Sequence, residues 1–505
     1  MVVRKRGDIA AMSEPELSSP RESTLSNKLV IWCGLLLAAG IPRIIAAVLL
    51  PNEEGDPYSY LRAIEMMRDS ILNGSFTLTE LFGFWLPLYQ FVSALLSTLF
   101  GNPLYVAKLV SAVSGAAVCV FVFAISRELT ARTVLSMVMF AAIAFNPIHI
   151  MYSSFSMSDV PHASLLIASL YFALRRRWII AATLIALGGL VRPEAWIFIV
   201  LLPMLQVIVD RRFSIGPFLI ALSGPLVWIY ISWAATGNPF EYFKVRDEYV
   251  QELLRSDPTL AGNSFAGVLG NLKTLLYSAG PAVVVGCAFA LCMLLRRMNF
   301  RFEKRLSQPS LFIALTYFFS VLSFLLIAYF TRHQPAIFAR YCLILFALGL
   351  PILGWVLART KDWRPAVANT FVGLTCLLCC WQVFVQCRDG IAYVNVVSQK
   401  RVVAGYLREQ SLTNSAVKAF CDDDTVKILA NLPPGSFVSS SNSINESTAF
   451  LNFLEENRVG YLVYENREGS AAVTLFQELG MERISKLFKP VTEPGSGLCV
   501  YRTPF

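Results

Sequence analysis

Charge is scarce in this sequence. Only 15% of its residues are Asp, Glu, Lys or Arg, against roughly 25% in a soluble globular domain. Another 55% are hydrophobic, and the mean hydropathy is +0.56. The shortage excludes an ordinary soluble fold, because the apolar residues fall in runs of about the 20 needed to cross a bilayer. The formal net charge of +9 is gathered into short clusters between those runs. That is the pattern of membrane topology, and no nucleic-acid-binding face is implied. A secretory signal peptide is missing as well. Residues 1–27 are polar and rich in Ser, Pro and charge, as expected of a disordered cytoplasmic tail. The first apolar run is a full span without a small-residue cleavage site, so it is expected to stay as a signal-anchor. No internal repeat is evident, which argues against a transporter or flippase built from duplicated halves.

Cysteine is present without a metal-binding arrangement. Cys33, Cys119, Cys287, Cys292, Cys342, Cys376, Cys379 and Cys380 lie in apolar runs and read as small hydrophobes. Cys421 and Cys499 lie in the polar tail, where a disulfide between them is open if the tail is extracytoplasmic.

Eleven spans are expected, near residues 29–50, 105–126, 134–151, 160–174, 178–191, 195–209, 214–235, 274–295, 310–330, 341–358 and 366–386. Basic clusters occupy every second connection. They begin with Arg4, Lys5 and Arg6, and continue at Arg127 and Arg132, Arg175 to Arg177, and Arg211 and Arg212. The last two are the 296–305 group and the group of Arg359, Lys361 and Arg364. The positive-inside rule assigns these to the cytoplasm. Residues 86–100 are apolar but short for a span. Counting them as one would put two of the clusters outside, so they read as a re-entrant or interfacial helix on the outer side. The N-terminus is then cytoplasmic and the tail extracytoplasmic. The tail alternates apolar runs at 417–420, 436–440, 460–465 and 497–503 with helix-like stretches at 425–431, 447–457 and 471–479, which suggests a small α/β domain.

The outer face collects the residues with chemistry in them. Asp56 opens the first external loop, between Gly55 and Pro57, in what could also be an ordinary turn. The segment after it has Tyr60, Ile64, Met67 and Ile71 at helical spacing, as in an amphipathic surface helix. In FSMSDVPHAS, Ser158 or Asp159 would cap the helix that Pro161 begins, or Asp159 would serve a site. LVRPEAW brings Arg192 and Glu194 to an external turn, as a site or as a structural ion pair. YFTRHQPAIFARY brings Arg332, His333 and Arg340 to the outer ends of two spans. Arginine there either binds phosphate through paired hydrogen bonds or snorkels to headgroups.

These features resemble the GT-C glycosyltransferases. The resemblance rests on the acidic residue opening the first external loop and on Trp85, Pro87, Leu88 and Tyr89 in W-x-P-L-Y. LFGNPLYVAKLVSAVSG, MSDVP and LVRPEAW complete it. The most similar branch is that of the protein O-mannosyltransferases and aminoarabinose transferases. The resemblance implies a polytopic α-helical membrane enzyme, 28–387, with an external loop at 51–104 and an extracytoplasmic α/β domain at 388–505. It implies transfer of a single sugar from a polyprenyl-phosphate donor to a lipid, glycan or protein acceptor, with inversion. Asp56 would be the general base. Arg340, Arg332, His333 and Arg192, with Lys244 or Arg246 as further candidates, would bind the phosphate. Tyr60, Trp85 and Glu194 would contact donor or acceptor, and Asp159 would hold a divalent metal, Mg or Mn, where one is used. The sequence departs from the aminoarabinose transferases in having Asp56-Pro57 for an acidic pair, and Trp85-Leu86-Pro87 where they place a basic residue before Pro-Pro-Leu. The oligosaccharyltransferase WWDYG signature is missing, which argues against transfer of a whole oligosaccharide. A polysaccharide polymerase or ligase is the other reading, and such enzymes usually lack a terminal α/β domain.

Overall fold

The computed structural model describes residues 21–505 except 53–54, 257–264, 298–308, 331–337, 414–417, 422, 431, 433–434, 439–446, 466–470, 492–497 and 505. The chain begins with α1 (Arg21–Leu49) and turns at Gly55 into α2 (Asp56–Leu72). Gly55 has φ +76°, a left-handed conformation that favours glycine. Pro57 then sits in the first turn, where its missing N–H costs nothing. Asp56 is thereby fixed as the first residue of a helix. A short helix, α3 (Leu88–Phe100), packs against α2 and against the long α4 (Pro103–Thr130). It buries Tyr89, Gln90, Ser93, Ala94 and Ser97.

The membrane part continues through α5 (Thr133–Ala144), α6 (Pro147–Ser153), α7 (Asp159–Leu174), α8 (Trp178–Gly189), α9 (Phe198–Asp210) and α10 (Ile215–Thr236). After α11 (Glu241–Ser256) come α12 (Phe265–Ala279), α13 (Pro281–Arg297), α14 (Pro309–Phe330) and α15 (Leu343–Arg359). The last is α16 (Pro365–Thr413), which is 49 residues long. Among the described residues, seven helices are long and apolar enough to cross a bilayer, and two bent pairs bring the number to nine. Three shorter apolar helices, α3, α7 and α8, stand beside them, of which α7 and α8 fall on expected spans. The protein is a multi-pass integral membrane protein. At its centre runs α15, in which every residue from Leu343 to Val356 is buried. Helices α1 and α10 instead leave Leu37, Ile41, Ile45, Leu219 and Leu226 exposed, as lipid-facing surfaces do.

Two expected spans are broken. The run at 134–151 divides into α5 and α6, bent by 60°, and the run at 274–295 into α12 and α13, bent by 89°. Each break falls just before a proline, Pro147 or Pro281, which lacks the N–H to continue the ladder. In hydrocarbon the freed carbonyls need partners, and buried side chains supply them. Arg43 of α1 donates to the carbonyls of Ile143 (3.2 Å) and Ala144 (3.1 Å). Gln382 and Gln386 of α16 both donate to the Tyr277 carbonyl, and Gln386 accepts from Asn146. Lys108 of α4 similarly donates to the Ala47 and Leu50 carbonyls at the end of α1. The two cations that interrupt apolar runs are therefore helix caps.

The tail forms a sheet of order β2-β1-β3-β5-β4. Its elements are β1 (Lys418–Phe420), α17 (Asp424–Ala430), β2 (Phe437–Val438), α18 (Ser447–Glu456), β3 (Val459–Glu465), α19 (Ala471–Leu487), β4 (Lys489–Pro490) and β5 (Leu498–Arg502). The first three strands pair in parallel, and β5 runs antiparallel to β3 and β4. β4 had no counterpart in the sequence reading. The boundary drawn at 387/388 falls inside α16, which runs unbroken toward the sheet. Cys421 and Cys499 are both thiols, not joined by a disulfide. They flank β3 on different strands, and they pack in different cores, Cys421 with Val403 and Val426, Cys499 with Phe450 and Phe476. Two strand spacings of about 4.8 Å exceed the roughly 7 Å Cα limit for a bridge.

Candidate active site

The ends of α8 and α14 and the beginnings of α2, α7 and α15 meet in one place. Asp56, at the start of α2, forms an ion pair with Arg340 from the 3₁₀ turn Ala339–Cys342 that leads into α15. Arg192, after α8, makes two pairs. Its Nη1 donates to Asp159 at 2.6 Å, and its Nη2 and Nε donate to Glu194 at 2.7 and 3.2 Å. Asp159 is the first residue of α7, and Glu194 lies in the 3₁₀ turn Pro193–Ile197. All three groups are nearly out of water, with side-chain exposures of 14% for Arg192 and 5% for each carboxylate. The expected capping role at this helix is not found. Ser158 makes no capping bond, and its hydroxyl hydrogen-bonds the Tyr60 phenol at 2.7 Å.

Tyr341 lies between the two arginines. Its ring lies 4.5 Å from the Arg192 guanidinium and 5.2 Å from that of Arg340. Aromatic faces attract cations at such distances, so the ring holds two like charges near each other. Asp159, His162, Arg192, Glu194, Arg340 and Tyr341 line the polar part of a small cavity there. Val321, Leu325 and Ile344 give it an apolar wall. Asp56 reaches it through Arg340.

The other expected residues lie around this centre. The rings of Tyr60 on α2 and of Trp85 pack 4.6 Å apart at a tilt of 33° and do not line the cavity. Burial pushes the Tyr60 phenol well above its usual pKa, so it stays protonated. Arg246, on α11, donates to the Tyr242 phenol at 3.1 Å. Its pKa is raised despite burial, by Tyr242 and then Glu194. Lys244 faces solvent and pairs with Glu241 and Glu248. Arg332 and His333 lie outside the described residues. The expected metal does not fit Asp159, whose carboxylate is taken by Arg192. Among the described residues, no group of three His, Cys, Asp or Glu could hold an ion.

At the opposite end of the bundle the basic clusters are tied down. Arg175 pairs with Glu128 at 2.5 Å and Arg176 with Asp210 at 3.1 Å, joining the ends of α4, α7 and α9. Sequence reading missed Tyr341 and His162. Tyr341 directly follows Arg340, and His162 is three residues past Asp159, one helical turn away.

No family model matches the sequence, and no curated protein matches it either. Solved structures do. ArnT from Cupriavidus metallidurans bound to undecaprenyl phosphate superimposes with a TM-score of 0.54 at 13% identity, over 94% of this chain and 98% of that one. The Archaeoglobus fulgidus oligosaccharyltransferase tethered with an acceptor peptide gives 0.52 at 12% identity, over 94% and 74%. The chain shares the fold of these two structures.

Proposed function

We propose that this chain is a glycosyltransferase. It transfers a single sugar from a polyprenyl-phosphate donor to a lipid, glycan or protein acceptor at the extracytoplasmic face. The observation that carries this reading is the Asp56–Arg340 pair. A carboxylate and a guanidinium 284 residues apart in the chain meet beside a partly apolar cavity. ArnT, with the same fold, was solved with undecaprenyl phosphate bound, which favours a polyprenyl-phosphate donor here.

The chemistry is one displacement. Asp56 takes the proton of an acceptor O–H, and the freed oxygen attacks the anomeric carbon. The bond from that carbon to the phosphate oxygen breaks, and its electron pair leaves on the lipid phosphate. Arg340 stabilises that charge. Attack opposite the leaving group inverts the centre. A phosphate entering the cavity competes with Asp56 for Arg340, which frees the base. Arg192 is committed to Asp159 and Glu194, so Arg340 and Arg246 are the cations for the phosphate.

The test is transfer from radiolabelled polyprenyl-phosphate sugars in membranes carrying wild type or Asp56→Asn. Wild type is expected to transfer label and the variant to lose at least a hundredfold, the lower range for a general base. Full activity in the variant would remove Asp56 from its role. Translocation of the lipid-linked sugar without transfer would replace the enzyme by a flippase.

A further inference from the structure

His162 has no part in the displacement just described, yet it lines the same cavity. It follows Asp159 by three residues on α7, a spacing that puts both side chains on one face. Only 4% of its surface is exposed. Its Nδ1 lies 3.4 Å from the Gly188 carbonyl oxygen. A carbonyl only accepts, so Nδ1 carries the proton, and the neutral ring keeps Nε2 as an acceptor. Nε2 is buried and has no hydrogen-bond partner among the described residues.

The neighbours cannot supply one. With Nδ1 turned to α8, the charged groups acting on the ring are Glu194, Arg192 and Asp159, the walls of the cavity. Two of these are carboxylates, which when ionised only accept, and the hydrogen bonds of the guanidinium go to them and not to Nε2. Buried acceptors are nearly always satisfied, which leaves whatever enters the cavity to bring the donor. An acceptor nitrogen takes an O–H or N–H, and an ionised phosphate offers neither. Arg340, the phosphate cation, lines this cavity, whereas Asp56, which meets the acceptor, reaches it only through Arg340. The group that fills the space is then the sugar joined to the phosphate.

We infer that Nε2 of His162 accepts a hydrogen bond from a hydroxyl of the transferred sugar, which makes His162 a specificity residue for the donor. The inference rests on the glycosyltransferase reading. It is tested by calorimetric binding to the full-length protein in detergent, as wild type, His162→Leu and His162→Asn. The probes are undecaprenyl phosphate and its mannosyl, glucosyl, galactosyl and arabinosyl derivatives.

Wild type is expected to bind at least one sugar lipid more tightly than the bare lipid phosphate. His162→Leu should lose about tenfold for that sugar lipid, the worth of one hydrogen bond, with bare-phosphate affinity unchanged. Asn, which keeps an acceptor oxygen, should retain part of the gain. An unchanged affinity of His162→Leu for every sugar lipid overturns the inference. So does an equal loss for bare and sugar-bearing lipid, or a wild type indifferent to all four sugars. A wild type that fails to bind undecaprenyl phosphate at all counts against the glycosyltransferase reading itself, and this inference goes with it.

Discussion

Arg192 holds Asp159 and Glu194 in a place with almost no water, and its removal would leave two carboxylates facing each other there. Breaking such a buried arrangement costs about 3–5 kcal/mol. Arg192→Leu is therefore expected to lower the unfolding temperature in detergent sharply, with Glu194→Gln milder because one carboxylate still balances the arginine. Equal melting of Arg192→Leu and wild type would show that the triad is not structural. Single residues were legible in the sequence where turn chemistry marked them. Asp56 stood out between Gly55 and Pro57, and Asp159 ahead of Pro161. Their partners were not legible. Nothing local ties Asp56 to Arg340 or Arg192 to Asp159, because those pairings are made by the packing of whole helices. Glu194 was read as a substrate contact or as half of a structural ion pair with Arg192, and the structure pairs it with Arg192.

At the scale of elements, the packing of α8 on α10 depends on Gly224. A Cβ there would come within 2.5 Å of the Ala186 carbonyl oxygen, a backbone atom that cannot swing aside. Small residues let membrane helices approach this closely. Gly224→Ala is expected to destabilise by about 1–3 kcal/mol, as overpacking does. Thermal unfolding in detergent measures it, and an unaltered midpoint would mean that the two helices can part at little cost. Most spans were legible from apolar length alone. The two breaks left a local signal, Asn146-Pro147 and Gly280-Pro281, both turn-forming dipeptides. Hydropathy averages across such signals. The caps supplied by Arg43, Lys108, Gln382 and Gln386 are contacts between distant helices, and they could not be anticipated from the chain.

For the whole molecule, sidedness is the property on which function turns. The cavity and the Arg175–Arg177 cluster lie at opposite ends of the bundle, so the positive-inside rule directs the cavity outward. A reporter fused after Phe505 is expected to be accessible from the extracytoplasmic side, and one fused within 1–20 to be cytoplasmic. A cytoplasmic readout for the first would put the cavity on the face where the basic clusters belong. The sheet of the tail was legible from its alternating pattern, apart from β4, which is two residues long and includes a proline.

The 49 residues of α16 span roughly 70 Å at 1.5 Å each, more than twice the hydrocarbon thickness of about 30 Å. This rod is gripped low down, where Gln382 and Gln386 hold the broken helices, and it carries the sheet at its far end. The sheet in turn rests on α2 through α17. The tail thus has two supports, α16 and α2, the second of which begins with Asp56. A tail held at two points cannot swing about either one alone.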